Sequence, residues 1–399
     1  MKKSYLFGLF GCLFMFTNCS KSELESEFEN GQGEVKVSFT AQIVNDVASR
    51  AEANVNTGKN LEIIAYRKQA DGNYAYAKSV TATVTANDNK IQYSNSEFKL
   101  EIGTYRFLSI YNVGNELTLD YLKDDSAVKT WQEILDAVKI SNAGKSKSLN
   151  INEIFAGGSL DNDEGNNSDM NVAEDIDLSE SQGENTVNVS ISLSRVNSRI
   201  DLRFLKFSPS KQDGGNDLEQ AYKGDENIFG EKPDNLVSIT TSAKSATSWS
   251  LGAGSQSIAG EDLTYTTNGY AGVTIGTLAE GSTDFPTEGD AQNMDAIPAG
   301  RILKGGAYYT GAYILPFTSE DSRLNLTVTL VGNEGEQTRV LVAAGVKAEK
   351  NKVTVVTFKY RASGNDPDDK ENLFNPTIKY DVTIDTQWNG VIILPSVDI

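Results

Sequence analysis

Histidine and cysteine, two residue types that often serve as catalytic groups or metal ligands, are nearly absent from this chain of 399 residues. Histidine is absent, which removes the commonest general base, the commonest zinc ligand and every serine–histidine or cysteine–histidine couple. The two cysteines, Cys12 and Cys19, lie near the start, so the body of the chain can form neither a disulfide nor a thiolate metal site. No carboxylate pair stands out from the acidic background, and the acidic run DNDEGNNSD lacks the spacing of a calcium loop. We expect neither an enzyme nor a bound cofactor or metal.

Cys19 follows an apolar run that is preceded by two lysines, in the segment MKKSYLFGLFGCLFMFTNCS. A run of this length after positive charges is typical of a signal peptide and is short for a membrane span. Its end, FTNCS, resembles a bacterial lipobox, although Phe16 and Asn18 replace the usual leucine and small residue. The resemblance implies cleavage before Cys19 and a lipid on its thiol. The alternative is a plain signal peptide with an incidental cysteine.

A single arginine, Arg50, is followed by Ala51 in a polar segment just beyond the first strand-like stretch, EVKVSFTAQIV. The segment contains no proline, so a protease could bind it as an extended chain. Arg50 is therefore either a solvated loop residue or the site of a cut. Arg67 lies within strand-like sequence and is a poorer cut site.

The formal charge of −19 and the pI of about 4.5 argue against nucleic acid and anionic lipid surfaces as partners, because both require a basic face. Three arginines spaced by four residues, Arg195, Arg199 and Arg203, could form a basic stripe on a helix. The β-branched residues between them favour a bent strand instead.

Alternation of apolar and polar residues dominates the chain from residue 34 onward and predicts short β-strands. One segment, KTWQEILDAVKI, departs from this pattern, because Trp131, Leu135 and Val138 have helical spacing and predict a single amphipathic helix. In the stretch NTVNVSISLSRVNSRIDLRFLKF the apolar phase changes, which predicts a bulge or bend at 195–198. Residues 208–300 are rich in glycine, serine, aspartate and asparagine, and we expect a loop-rich insertion there with strand fragments such as LVSITTSA, SWSLG and GVTIGTL.

Several stretches together resemble the fimbrillin family, the pilin subunits of Bacteroidetes type V pili. The resemblance rests on the order and spacing of FLSIYNVGN at 107–115, IFAGGS at 154–159, LSRVNSRIDL at 193–202, YILPF at 313–317 and EKNKVTVVTFKY at 349–360. It implies an all-β chain of two transthyretin-like Greek-key β-sandwich domains with one short helix. The implied divisions are a lipoprotein signal peptide (1–19), a flexible tether (20–33), an N-terminal sandwich (34–185), a C-terminal sandwich (186–365) containing the insertion 208–300, and a donor-strand tail (366–399).

Members of this family are made as outer-membrane lipoproteins and are cut by an arginine-specific protease in the loop behind the first strand. The first strand then leaves with the lipid, and the C-terminal strand of another subunit fills the groove. The resemblance implies processing between Arg50 and Ala51 and a final place in an extracellular fimbrium. The implied partners are other fimbrial subunits, the protease and, through Cys19, the lipid of the outer membrane.

The tail YDVTIDTQWNGVIILPSVDI is strand-like and follows a polar break, RASGNDPDDKENLFNP. A long apolar strand beyond such a break is a liability unless it is paired, and as a donor strand it would be paired. The alternative is that the tail folds back on its own domain, which a form that precedes assembly could also do. The candidate donor residues are Val382, Ile384, Trp388, Ile392 and Leu394.

These features predict a stalk-like pilin that polymerises by donor-strand exchange. The alternatives are a fimbrial tip, accessory or anchor subunit, or a surface glycan-binding lipoprotein. For a glycan binder, the residues that could stack on sugars are Trp249, Tyr265, Tyr308 and Tyr309, although most such aromatic residues belong to a core.

Overall fold

The structure is a computed structural model, and its strands confirm the all-β fold class. It describes residues 34–43, 59–83, 90–115, 117–142, 147–160, 173–178, 186–211, 217–221, 236–268, 301–303, 306–317, 323–333, 337–361, 373–374 and 380–387. Within these ranges no helix is both long and apolar enough to cross a membrane.

The described residues form 22 strands and one helix, α1 (Trp131–Ala137). The strands are β1 (Glu34–Ile43), β2 (Asn60–Lys68), β3 (Tyr74–Thr83), β4 (Lys90–Glu101), β5 (Thr104–Tyr111), β6 (Thr118–Asp120), β7 (Lys139–Ser141), β8 (Phe155–Leu160), β9 (Ile176–Asp177), β10 (Thr186–Arg195), β11 (Ser198–Lys211), β12 (Asp217–Ala221), β13 (Leu236–Ala243), β14 (Ala246–Ser250), β15 (Gly254–Ile258), β16 (Leu263–Asn268), β17 (Arg301–Leu303), β18 (Gly306–Ile314), β19 (Leu324–Gly332), β20 (Thr338–Val346), β21 (Val353–Arg361) and β22 (Tyr380–Gln387).

The first sheet has the strand order β3-β2-β5-β8-β10-β1-β4, with β9 paired to β5. It curls until its edge strands β3 and β4 approach each other, where the Lys78 ammonium donates a hydrogen bond to the carbonyl oxygen of Lys99 at 3.3 Å. The same ammonium lies 5.4 Å from the centre of the Phe98 ring. The apolar residues of alternate positions therefore line the inside of the curl and form one core.

A second core lies on the outer face of the first sheet, beneath α1 and a small sheet of order β15-β14-β7-β6. The predicted helix is confirmed, and it buries Trp131, Ile134 and Leu135. A capping box starts it, because the Thr130 side chain accepts from the backbone N–H of Glu133 and the Glu133 carboxylate accepts from the backbone N–H of Thr130 at 2.8 Å.

The remaining strands form two sheets that pack face to face around a third core. One sheet has the order β17-β18-β11-β21-β22, with β12 paired to β11, and the other has the order β16-β13-β19-β20. The rings of Phe204 and Phe358 stack within this core with their centres 5.5 Å apart. Two sheets with one apolar face each are stable only when those faces meet, which explains the layered arrangement.

The predicted bend at 195–198 is confirmed, because β10 ends at Arg195 and β11 begins at Ser198. Asn197 lies fully buried at this break, where its side-chain amide donates to the carbonyl oxygen of Asn152 at 3.0 Å and its oxygen accepts from the backbone N–H of Ile154. The chain passes from the first sheet to the third core at this point. β10, which the sequence analysis assigns to the second domain, therefore lies in the first sheet.

Within the segment 208–300, residues 236–268 supply four strands, and the expected strand fragments LVSITTSA and SWSLG overlap the first two of them, β13 and β14. Leu236, Ile239 and Ala243 of β13 belong to the third core, and Trp249 of β14 belongs to the second. Serine and threonine occupy the outward positions of these short strands, so their apolar alternation is weak in the sequence.

We predict that Ile239→Ala lowers the free energy of unfolding by about 2–5 kcal/mol, because it opens a cavity in the third core. The matched control is Val237→Ala on the same strand, since Ile239 is 2% exposed and Val237 is 44% exposed. The control should change the free energy by less than about 0.5 kcal/mol. Urea unfolding of both variants measures the difference, and equal losses would show that β13 does not pack as described.

Candidate strand-exchange site

The first strand is held by neighbours on both sides. β1 runs parallel to β10 and antiparallel to β4, so that Phe39 lies opposite Val189 on one side and opposite Tyr93 on the other. The register with β4 shifts between Lys36 and Ser38, which marks a β-bulge. β1 is thus an interior strand of the sheet with two hydrogen-bond ladders, although it comes first among the described residues.

The inner face of β1 is buried in the first core. Val35, Val37, Phe39 and Ala41 are each at most 3% exposed. The Phe39 ring meets the Phe107 ring edge-on, with the ring centres 5.3 Å apart. Burial of each of the three larger side chains contributes roughly 1.5–3 kcal/mol, so the inner face anchors the strand.

The outer face of β1 is polar and partly exposed. Lys36, Ser38 and Thr40 alternate with the buried residues, and the Ser38 hydroxyl donates to the side-chain oxygen of Asn188 at 3.1 Å. One face of the strand therefore packs against the core and the other faces solvent, which is the environment that an alternating sequence requires.

Removal of β1 would leave a long apolar groove between β10 and β4. The side chains that would lose their cover include Phe98, Phe107, Val189, Ile191 and Leu193, all of which belong to the first core. The facing edges of β10 and β4 would also lose a hydrogen-bonding partner. A groove of this kind can bind an extended strand with alternating apolar side chains and requires no covalent chemistry.

The first part of the tail docks on its own chain, as one of the two alternatives for the tail expects. β22 pairs antiparallel with β21 at the edge of its sheet, with Val382 opposite Phe358 and Ile384 opposite Val356. Val382 and Ile384 are only partly buried against the third core. Three candidate donor residues, Trp388, Ile392 and Leu394, lie outside the described residues, as do Cys19, Arg50 and Ala51.

Tyr380 fixes the start of β22 against the neighbouring sheet. Its hydroxyl accepts a hydrogen bond from the backbone N–H of Val342 at 3.1 Å, and its ring lies 6.0 Å from the Phe358 ring. The Arg339 guanidinium lies 5.7 Å from the centre of the Tyr380 ring. This contact could not be predicted from the sequence, because nothing in the alternation of the tail indicates which sheet edge its first residue meets.

A cluster around Asp175 was also missed. Its carboxylate accepts hydrogen bonds from the Lys68 ammonium at 2.6 Å, the Tyr74 hydroxyl at 2.6 Å and Arg106 Nε at 2.7 Å. Burial alone would raise the pKa of Asp175, but these three hydrogen bonds outweigh burial and lower it. The Arg106 guanidinium also lies over the Tyr74 ring, and together these contacts hold Asp175 on the first sheet.

Two of the aromatic residues considered for sugar binding, Trp249 and Tyr265, pack against cores rather than standing free on the surface. Trp249 is 3% exposed and packs in the second core. Tyr265 is partly buried against the third core. Tyr308 and Tyr309 lie on β18 opposite Arg203 and Leu202. The described residues also contain no group of three acidic, histidine or cysteine side chains placed to hold a metal ion.

No family model and no curated protein matches the chain. It is similar to the crystal structure of a candidate adhesin from Bacteroides thetaiotaomicron, with a TM-score of 0.44, 11% identity and coverage of 88% of this chain and 97% of that chain. It is also similar to a candidate cell adhesion protein from Bacteroides eggerthii, with a TM-score of 0.35, 15% identity and coverage of 89% and 96%. For the fimbrial anchor protein Mfa2 from Porphyromonas gingivalis the TM-score is 0.36, the identity 11% and the coverage 88% and 98%. Similarity of this degree does not by itself define a function.

We predict that Tyr380→Phe raises the hydrogen-exchange rate of the Val342 amide by about two- to tenfold, because the amide loses its acceptor and one hydrogen bond is worth about 0.5–1.5 kcal/mol. The control is Tyr265→Phe, since Tyr265 packs on the same core from another strand. Exchange measured by NMR at Val342 should be unchanged in the control. An unchanged rate in Tyr380→Phe would show that the hydroxyl does not hold β22 in place.

Proposed function

We propose that this protein is a structural, stalk-like subunit of a cell-surface fimbria. In this proposal a protease removes β1, and the C-terminal tail of another copy replaces it. The observation that carries the proposal is the position of β1, which is an interior strand that nevertheless comes first in the described sheet. A single cut beyond Ile43 would therefore free it from the rest of the chain and open a groove in the first core.

The proposed cut lies between Arg50 and Ala51, a short distance beyond the end of β1 in the sequence. After the cut, β1 is held only by its two ladders and by its buried face. A second strand can replace it without any covalent step, because every bond that is exchanged is non-covalent.

The tail is suited to the groove because its apolar residues have the same two-residue spacing as those of β1. In β1 the inward residues include Val35, Val37 and Phe39, and in the tail Val382 and Ile384 begin the corresponding series. The series would continue through Trp388, Ile392 and Leu394.

The tail also gains hydrogen bonds by moving. In its own sheet β22 pairs with β21 alone, whereas a strand in place of β1 pairs with both β10 and β4. Each additional hydrogen bond contributes about 0.5–1.5 kcal/mol net, and the buried apolar side chains contribute roughly 1.5–3 kcal/mol each. The loss of conformational entropy on ordering the rest of the tail opposes this gain. The second ladder favours the tail in the groove over the tail in its own sheet.

The proposal includes three finer parts. The two halves of the chain are transthyretin-like Greek-key sandwiches, the thiol of Cys19 carries the lipid, and the lipid holds the unprocessed protein at the outer membrane. Processing then separates the lipid from the mature subunit together with β1.

The first experiment treats the purified chain with an arginine-specific protease and sequences the new N-terminus. We predict a cut after Arg50, its loss in Arg50→Ala, and no effect of Arg67→Ala. Arg67 is a matched control because it lies within β2, where its guanidinium is paired with Glu101. Continued cleavage at the same bond in Arg50→Ala would contradict the assignment.

The second half of the same experiment removes residues 381–399 and follows assembly by electrophoresis without boiling. The processed full-length chain should give ladders that survive mild denaturant, and the truncated chain should be cut normally but give none. Ladders that persist without the tail would show that another segment joins the subunits.

A further inference from the structure

The outer face of the sheet β16-β13-β19-β20 carries no charge over two complete cross-strand rows. One row places Thr240 beside Thr329 and Val340, and the next places Ser242 beside Thr327 and Val342. We call these six residues the threonine–valine face. β16 extends both rows with a further threonine, and the hydroxyls of Thr240 and Thr266 lie 2.8 Å apart across the strands.

An uncharged face is unusual for this chain, in which 23% of the residues are charged. Solvent-facing sheets and edge strands normally carry charged side chains, which prevent association with other molecules. Here the edge strand β20 instead presents Val340 at 51% and Val342 at 49% exposure. With Val237, three of the five exposed large apolar side chains among the described residues belong to this one sheet.

We propose that the threonine–valine face binds the same face of a second copy of this chain. Two copies with a formal charge of −19 each repel one another over most approaches, and a face without carboxylates removes that repulsion at the contact. A basic partner would find no carboxylate to pair with on these rows. A flat face that meets its own copy around a two-fold axis is self-complementary by symmetry.

The contact is face to face rather than edge to edge. An edge-to-edge dimer would extend the sheet through the free backbone groups of β20. The Val342 N–H already donates to the Tyr380 hydroxyl at 3.1 Å, so this backbone donor is not available to a second strand. The side chains of Val340 and Val342 point away from the third core and remain available.

The size of the face predicts a weak pair. With the threonines of β16, the two rows span four strands and cover roughly 250 Å², from the usual spacings between strands and between alternate residues. A stable interface buries about 800 Å² on each partner, so two single copies associate only at high concentration. In a polymer the same contact would repeat along the fibre and hold fibres side by side. This last step rests on the proposed function, whereas the pairing of single copies does not.

The test is sedimentation equilibrium of the intact, unprocessed chain. Wild type should self-associate weakly, and more strongly at high salt, because about 1 M salt shortens the range of charge repulsion to about 3 Å. Val340→Glu with Val342→Glu should weaken association by at least about tenfold, since like charges then meet across the contact. The matched control, Val128→Glu with Ile258→Glu, changes two equally exposed apolar residues elsewhere and should alter association less than about twofold.

A cross-linking experiment keeps the test independent of any folding defect in the glutamate variant. In a chain with Cys12→Ser and Cys19→Ser, Thr329→Cys places a single thiol at the centre of the face. Disulfide dimers should form with Thr329→Cys and not with Ile258→Cys. A wild type that stays monomeric at every concentration, equal loss in both glutamate variants, or equal cross-linking at both positions would overturn the proposal. Because the unprocessed chain is used, failure here leaves strand exchange untouched.

Discussion

The structure depends on the way in which β1 is held. This strand is paired on both sides, and Val37 and Phe39 are buried in the first core, so it closes a curled sheet that would otherwise have a gap in its wall. A chain that places its first described strand in the interior of a sheet makes the sheet dependent on a segment that one cut can detach. The stability of the first core and its proposed capacity to bind a foreign strand therefore have the same physical source.

The two ends of the described chain differ in how strongly they are bound. β1 has two ladders and a fully buried inner face, whereas β22 has one ladder and side chains that are only partly buried. Between them, the buried Asn197 joins β10 of the first sheet to β11 of the third core. β22, which is bound more weakly, belongs to the proposed donor segment. β1, which is bound more strongly, defines the site that the donor would occupy. In the proposed exchange this difference would set the direction, because the tail would gain backbone pairing by moving from one ladder to two.

Much of the fold could be predicted from the sequence where the signal is local. Trp131 and Leu135 at helical spacing indicate α1, and the change of phase after Leu193 indicates the break before β11. Within the loop-rich insertion the strand fragment LVSITTSA indicates β13, whereas β15 and β16 were not predicted, because polar residues fill most of their positions and weaken the apolar alternation. The partners of β1 and β22 could not be predicted, since alternation shows which face of a strand is buried but not which strand lies beside it.

The most direct measurement is hydrogen exchange of the β10 and β4 amides, followed by mass spectrometry, before and after β1 is removed from the processed chain. The amides within 187–193 that point toward β1 should lose protection when β1 leaves and regain it when a peptide of residues 380–399 is added, whereas those paired with β8 should keep it. Protection that does not fall after β1 has gone would show that the sheet closes without it. Protection that falls but is not restored by the peptide would show that the tail does not fit the groove, and either result would contradict strand exchange.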